Sequence, residues 1–180
     1  MTMLKRHLLI MLLSGLAIFP GTEVMAIDVF MFVKGKVVAS ACTVETGLAG
    51  GKTVDLGTFG RTKFKHSGEA GDWVDFTLNL SNCPPGTTKS TVTFTGNPDS
   101  DDATLFANSE PTESAATHIA IQMTKGNDRN AILSNNSSWE ASVDSGRNIV
   151  FPLSARMITP AGSVRAGQVS GSVMVNFTYQ

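Results

Sequence analysis

The sequence comprises 180 residues, enough for one domain with a buried core. Its formal charge of -1 excludes a nucleic-acid partner held by general electrostatic attraction. Aromatic residues make up only 7% of the chain, whereas glycine alone contributes 17 residues, a composition typical of an all-β domain with many turns.

Residues 1–26 have the pattern of a secretory signal peptide. The basic pair Lys5 and Arg6 precedes an apolar run over 8–19, and residues 24–26, Val-Met-Ala, provide a small-x-small cleavage site. A membrane-spanning helix is the alternative, but it needs about 20 apolar residues, and this run is shorter. We therefore predict export and a mature chain that begins at residue 27.

The sequence has two cysteines, Cys42 and Cys83. Because an exported protein meets an oxidising compartment, they predict one disulfide, with two buried free thiols as the alternative. His66 and His118 are isolated in the sequence, so no metal-ligand spacing is present. We expect neither a metal site nor another cofactor.

Apolar residues alternate with period two along the mature chain, and no segment shows sustained helical periodicity. The predicted strands cover 27–38, 73–80, 91–95, 119–123, 149–155 and 169–179. Turn residues cluster between them, among other places at 47–52, 125–130 and 135–138. A polar loop is expected over 97–114, with one helical turn at 103–107. Strands at this spacing predict an all-β fold, an immunoglobulin-like β-sandwich over 39–180.

Two segments do not fit a self-contained sandwich. The mature chain opens on a strongly apolar strand over 27–38, before the first cysteine, and the final strand over 169–179 continues almost to the last residue. One interpretation gives both strands to the domain's own sheets. The other places the N-terminal strand in the open sheet of a second molecule, where main-chain hydrogen bonds and alternate side chains would hold it.

Several motifs in the mature chain carry a family resemblance. Two motifs surround the cysteines: GKVVASACTV over residues 35–44 and LSNCPPGT over residues 80–87. A third motif, VDLG, covers residues 54–57. Gly167 and Tyr179 match a glycine near the C-terminus and a penultimate tyrosine. Together these motifs resemble the pilins of chaperone–usher fimbriae, most of all the minor tip subunits of type 1 fimbriae. The residues 54–57 are similar to a strand of that family.

The resemblance implies an incomplete immunoglobulin-like sandwich, the pilin fold, whose missing strand leaves a groove beside the final strand. A periplasmic chaperone fills this groove until, at the outer-membrane usher, a neighbouring subunit donates its N-terminal extension, here residues 27–38. The donor residues of this chain would be Val29, Met31, Val33, Gly35 and Val37. The groove and chaperone-binding residues would be Gly167, Val169, Val173, Val175, Phe177, Tyr179 and Gln180, the last through its terminal carboxylate.

The function implied is that of a structural subunit of an extracellular fimbrium, exported through the periplasm and supporting cell adhesion. We expect a minor tip or adapter subunit, with the chaperone, the usher, neighbouring pilins and a tip adhesin as partners. A major rod pilin is the first alternative. A carbohydrate-binding adhesin is the second, since Trp73 and Trp139 are candidates for stacking on a sugar. An enzyme is not expected, because no motif places Ser or carboxylate partners around His66 or His118.

Overall fold

The structure, a computed structural model, describes residues 30–37, 41–111 and 113–180. Lys36–Gln180 form one compact unit, and the residues up to Gly35 belong to another. The predicted signal peptide over 1–26 and the predicted donor residue Val29 lie outside the described residues.

The compact unit is built almost entirely from strands. They are β1 (Thr43–Val44), β2 (Val74–Ser81), β3 (Lys89–Gly96), β4 (Phe106–Ala107), β5 (Ala120–Lys125), β6 (Asp128–Ile132), β7 (Ser138–Ser142), β8 (Ile149–Ile158) and β9 (Val173–Tyr179). A four-residue helix, α1 (Thr46–Ala49), and a 3₁₀ turn (Arg61–Lys63) lie between β1 and β2. The strands predicted over 73–80, 91–95, 119–123 and 149–155 correspond to β2, β3, β5 and β8.

The strands form two antiparallel sheets. In the larger sheet the order is β1-β2-β8-β5-β4, and β6 also pairs with β5. In the smaller sheet the order is β7-β3-β9. Because side chains alternate across a strand, each sheet has one face that packs on the other and one face toward solvent. This arrangement confirms the predicted all-β sandwich.

The core lies between the two sheets. Ile149, Phe151 and Leu153 of β8 are at most 1% exposed, and Val92 and Phe94 of β3 are fully buried in the same cluster. They occupy alternate positions, as the period-two pattern requires. Each such side chain contributes about 1.5–3 kcal/mol of apolar transfer free energy, so this cluster fixes which face of each strand turns inward.

A disulfide joins Cys42 to Cys83, as predicted. Cys42 immediately precedes β1, and Cys83 follows the end of β2, so the bond ties these neighbouring strands together. Arg147 supports it from the β7–β8 turn: its Nε donates to the Cys83 carbonyl at 2.6 Å, and the Cys83 N–H donates to the Arg147 carbonyl at 3.0 Å. Both cysteines lie in the buried core.

The predicted helical turn at 103–107 is wrong. Phe106–Ala107 instead form β4, in which Phe106 lies opposite Ile121 and Ala107 opposite Ala120. Phe106 is 1% exposed and belongs to the core between the sheets. Burial of this ring against β5, rather than local helix propensity, therefore sets the backbone here.

Three segments predicted as turns contain regular structure. β6 overlaps the predicted turn at 125–130, β7 begins at the end of the one at 135–138, and α1 lies largely within 47–52. β6 has the polar sequence DRNAI and is mostly exposed, and its pairing with β5 is interrupted by a bulge between Thr124 and Lys125. Because the residues of β6 are mostly polar, they show no alternation of apolar residues from which this strand could be predicted.

The final strand begins at Val173 rather than at 169. Residues 167–170 are held by a different part of the chain: the Ala116 N–H donates to the Gln168 carbonyl at 2.9 Å, and the Gln168 N–H donates to the Ser114 carbonyl at 2.7 Å. The Ser109 N–H donates to the Ser170 carbonyl at 2.7 Å. These bonds take the backbone away from β3, so the ladder of β9 starts only after them.

Candidate functional site

A long apolar groove opens between the two sheets beside β9. Its volume of about 1250 Å³ exceeds the roughly 300–1,000 Å³ of small-molecule pockets. The apolar side chains that line it come from both sheets: Phe76 and Leu78 of β2, Ile121 and Met123 of β5, Leu153 and Ala155 of β8, Phe94 of β3, and Val173, Val175 and Phe177 of β9. Its size and lining suit an extended peptide.

β9 forms one wall of this groove. It is hydrogen-bonded to β3 along its whole length, and its other edge has no strand partner among the described residues. Val173, Val175 and Phe177 are half-buried and line the groove, whereas Met174 and Asn176 are exposed on the opposite face. An unpaired edge of this kind offers a row of N–H and C=O groups on which a further strand can pair.

The opposite wall includes residues 51–60, which form no helix or strand. Val54 and Leu56 are half-buried and line the groove, while Asp55 between them is exposed. The strand implied for 54–57 by the family resemblance is therefore wrong. Asp55 Oδ1 instead accepts a hydrogen bond from the Gly57 N–H at 2.9 Å, and Gly57 has a φ of 84° that interrupts an extended conformation.

Gly167 lines the groove and lies against Ala116, a member of a second small core. Phe64, Ala116, Ile119, Met157 and Val164 form this core, and the partly buried Val169 packs against it. Gly167 approaches the backbone so closely that a Cβ atom would lie 2.4 Å from both the Ala115 carbonyl carbon and the Ala116 nitrogen. Both Gly167 and Val169 line the groove, although they precede the first residue of β9.

Tyr179 and Gln180 do not line the groove. Tyr179 packs partly buried against the main core, and this burial raises the pKa of its phenol. A main-chain oxygen of Gln180 accepts hydrogen bonds from the Thr88 N–H at 2.6 Å and the Lys89 N–H at 3.2 Å. Residue 180 is thus bound to the start of β3, and its role in chaperone binding stays a prediction.

The described part of the predicted donor segment, residues 30–37, forms no helix or strand. Met31 and Val33 are each 84% exposed, Val37 is 99% exposed, and Gly35 is exposed as well. Phe30 and Phe32, which alternate with the donor residues, are also exposed. Because soluble proteins rarely expose a contiguous apolar patch of large size, such a run marks an interaction site.

Both tryptophans contact other side chains of the chain. The Arg156 guanidinium lies 4.2 Å from the centre of the Trp73 ring, and that of Arg129 lies 5.3 Å from it. The Trp139 ring packs edge-on against Phe151 with centroids 5.3 Å apart. The cation–π contacts explain the position of the Trp73 ring, and the contact with Phe151 explains that of the Trp139 ring. Neither position requires a sugar ligand to explain it.

An ion pair lies on the outer face of the larger sheet. The Ser154 hydroxyl donates to Asp75 Oδ1, and Arg129 Nη2 lies 3.3 Å from both oxygens of the same carboxylate. The hydrogen bond from Ser154, followed by the bond and the charge of Arg129, lowers the pKa of the Asp75 carboxyl. Asp75 thus stays ionised and connects β2 to β8 and β6.

The described residues contain no group of three or more His, Cys, Asp and Glu side chains placed to hold a metal ion. Nor does any helix in them have the length and apolarity needed to cross a membrane. His118 Nδ1 lies 3.4 Å from Asp101 Oδ2 at an exposed position.

The family model of the fimbrial proteins matches residues 31–180, which include the groove, the disulfide and most of the predicted donor segment. The chain belongs to the fimbrial protein family. It is a fimbrial subunit of the chaperone–usher class, a structural protein that polymerises with neighbouring pilins, and not an enzyme. Subunits of this family form pili outside the cell after passage through the periplasm.

Two curated relatives cover nearly the whole subunit. The uncharacterized fimbrial-like protein YdeR of Escherichia coli is 34% identical over 179 residues, which cover 99% of this chain and 100% of the relative. The protein FimG of Escherichia coli is 32% identical over 168 residues, which cover 93% of this chain and 94% of FimG. The resemblance to these fimbrial proteins thus extends over nearly all of this chain.

The fold of this fimbrial subunit also resembles that of a solved pilin. The P pilus rod subunit PapA superposes with a TM-score of 0.63, covering 78% of this chain and 100% of PapA. The two sequences are 17% identical. This likeness therefore supports the immunoglobulin-like pilin fold and carries no information on the position of the subunit in a fibre.

Proposed function

We propose that this chain is a minor tip or adapter subunit that polymerises by donor-strand exchange. The observation that carries the proposal is the open apolar groove beside the unpaired edge of β9. A strand added to this edge completes the smaller sheet and covers the groove at the same time.

The strand that fills the groove of the neighbouring subunit is the N-terminal extension over 27–38. Val29, Met31, Val33 and Val37 alternate and supply the apolar side chains, and Gly35 permits close approach of the two backbones. Burial of three of these apolar side chains contributes roughly 5–9 kcal/mol as an upper estimate. The part of this free energy that exceeds the contribution of the displaced chaperone strand drives the exchange without nucleotide hydrolysis.

Before assembly a periplasmic chaperone covers the same groove with a strand of its own, and the outer-membrane usher is where the exchange takes place. An open groove exposes apolar surface and a strand edge, both of which promote aggregation. The chaperone contacts would be made by β9 and the residues just before it, from Gly167 onward, and basic residues of the chaperone would bind the carboxylate of Gln180. The finished fimbrium lies outside the cell.

The adapter position is supported by the motifs at 35–44 and 80–87, which resemble those of minor tip subunits. A tip adhesin is then a further partner. A major rod subunit of the same class is the alternative. A carbohydrate-binding adhesin is disfavoured, since Trp73 and Trp139 are engaged by other side chains of the chain.

The groove is tested by two substitutions on adjacent positions of β9. Val175→Asp places a charge in the groove, whereas Asn176→Asp places the same side chain on the exposed face. We expect Val175→Asp to lose co-purification with the chaperone and incorporation into fibres, because a buried unpaired charge is costly, and Asn176→Asp to retain both. Circular dichroism checks that each variant is folded. Incorporation of Val175→Asp at the level of the unmodified chain would contradict the proposal.

Position in the fibre is tested by immunogold labelling of purified fimbriae. An adapter gives a few particles at one end of each fibre, and a rod subunit gives labelling along the shaft. Expression with and without the chaperone tests the open groove independently. A stable, soluble monomer that accumulates without chaperone would count against the need to cover it.

A further inference from the structure

Residues 27–180 contain four methionines, and these methionines differ in exposure. Met31 is 84% exposed in the N-terminal segment, and Met174 is 71% exposed on the solvent face of β9. Met123 in the main core is 6% exposed, and Met157 in the second small core is 8% exposed. Because a dissolved oxidant must reach the sulfur of a methionine, Met31 and Met174 are the two that react first.

Met31 differs from Met174 in what assembly requires of it. In the proposed exchange, Met31 moves from water into the apolar groove of a neighbouring subunit, because it lies on the same face as the donor valines. Met174 points away from the groove of its own subunit and stays in water. Met31 is also the only donor residue with a sulfur atom, since the others are Val29, Val33, Gly35 and Val37.

Oxidation converts the thioether of Met31 into a polar group. Hydrogen peroxide transfers one oxygen atom to the sulfur: the O–O bond breaks, an S–O bond forms, the sulfur is oxidised and the peroxide is reduced to water. The sulfoxide oxygen is a hydrogen-bond acceptor, whereas a groove of the kind found beside β9 is lined mainly by apolar side chains. Burial of this oxygen without a donor is costly. The sulfoxide therefore weakens binding of the donor strand and leaves the folded domain unchanged.

We propose that Met31 is an oxidation site that controls assembly: its sulfoxide prevents the subunit from donating its N-terminal strand, and insertion of an unoxidised strand protects Met31 from oxidation. This inference rests on the proposed function of residues 27–38 as a donor strand. It makes the incorporation of new subunits sensitive to the oxidant level in the compartment where assembly takes place. Subunits that are already assembled are insensitive to it.

The first experiment measures where oxygen is added. The exported chain, residues 27–180 in complex with its chaperone, is treated with dilute hydrogen peroxide, and peptide mass spectrometry follows each methionine over time. We expect Met31 and Met174 to be oxidised about 10-fold faster than Met123 and Met157, as the ratio of their exposed fractions indicates. The same treatment of purified fibres should oxidise Met31 much more slowly than in the complex, because the neighbouring subunit covers it.

The second experiment separates Met31 from other targets of the oxidant. Fibres are purified from cells grown with and without hydrogen peroxide, and the incorporated subunit is quantified by immunoblotting. Peroxide should reduce incorporation of the unmodified chain and of the matched control Met174→Leu, but not of Met31→Leu, which keeps an apolar side chain without sulfur. Met31→Gln, a neutral polar side chain of similar length, should reduce incorporation about 10-fold without any oxidant, and Met174→Gln should not.

Chaperone binding and circular dichroism check that each variant is folded. An equal loss of Met31→Leu and the unmodified chain under peroxide would overturn the inference, and so would no loss of either. Normal incorporation of Met31→Gln, with Met31 protected in fibres of the unmodified chain, would overturn it as well and leave donor-strand exchange standing. Oxidation of Met31 in purified fibres as fast as in the chaperone complex would show that no neighbour covers this residue. Donor-strand exchange through Met31 would then fail, and the inference with it.

Discussion

Replacing Gly167 by alanine adds a single methyl group where two segments of backbone meet. The new Cβ atom would lie 2.4 Å from the carbonyl carbon of Ala115 and from the nitrogen of Ala116. Ordinary contacts between carbon atoms are about 3.5–4.0 Å, so the two segments would have to separate by roughly 1 Å. Because the opposing atoms are backbone rather than a flexible side chain, rotation about a side-chain bond cannot relieve the contact.

The separation breaks the hydrogen bonds between the segments. The Ala116 N–H donates to the Gln168 carbonyl at 2.9 Å, and the Gln168 N–H donates to the Ser114 carbonyl at 2.7 Å. Their loss costs about 1–3 kcal/mol, and overpacking adds typically 1–3 kcal/mol. We therefore expect the free energy of unfolding to fall by roughly 2–6 kcal/mol, which lowers Tm by about 4–24 °C for a chain of this size.

Urea unfolding of the oxidised chain, with its groove occupied by a saturating peptide of residues 27–38 and followed by circular dichroism, measures this change. Gly47→Ala is the matched control, because a Cβ atom there meets nothing within 4 Å and Gly47 lies in α1. Alanine favours a helix over glycine by up to about 1 kcal/mol, so the control should be unchanged or slightly more stable. A Gly167→Ala protein as stable as the control would show that the two segments separate freely, and the steric reasoning would fail.

Three further predictions concern the disulfide, the donor segment and an ion pair. Replacing Cys42 and Cys83 by serine should lower the free energy of unfolding by about 4 kcal/mol, because the bond closes a long loop in the unfolded chain; unchanged urea unfolding would contradict this. Met31→Asp should prevent incorporation into fibres, whereas Phe32→Asp on the opposite face of the donor strand should be mild; equal incorporation of the two would count against the donor register. The lowered pKa of Asp75 means that its ionised form stabilises the fold above the ordinary pKa and that this contribution is lost as the pH falls through the lowered value. The unfolding free energy of Asp75→Asn should therefore depend less on pH in acid, and an acid titration indistinguishable from that of the unmodified chain would refute this.

The long strands were predictable because each has one face in the core. β2, β3, β5 and β8 carry alternating apolar residues, and burial of those residues follows directly from the pattern. The disulfide was predictable for a different reason, since two cysteines in an exported chain allow one intramolecular pairing.

The short and polar strands were not predictable from local sequence. β4 has two residues, and its conformation depends on the burial of Phe106 against β5, a contact of long sequence separation. β6 is polar and exposed, so its pairing with β5 leaves no mark in the hydrophobic pattern. In both cases tertiary pairing decides the structure, and propensity does not.

The groove was predictable only on one side. The alternation of Val173, Val175 and Phe177 and the family resemblance together indicated the β9 wall. Ile121 and Met123 on the other side have the same alternation as any core strand. Periodicity shows which face of a strand is apolar, but not whether the chain covers that face with a strand of its own. The apolar N-terminal segment is the signal in the sequence that one such face is left open.

The position of the disulfide has a mechanical consequence for a protein that forms filaments. In a fibre assembled by the proposed donor-strand exchange, tension that enters through the N-terminal segment arrives at Cys42, immediately before β1. The pairing of β1 with β2 consists of only two residue pairs, Thr43 with Ser81 and Val44 with Leu80, and such a short ladder would peel apart bond by bond. The covalent link passes the load to Cys83 and thus to β2, which is paired with β8 from Val74 to Leu80. A subunit with reduced cysteines would depend on this two-pair ladder alone, and it would be the first subunit of the fibre to yield under a pulling force.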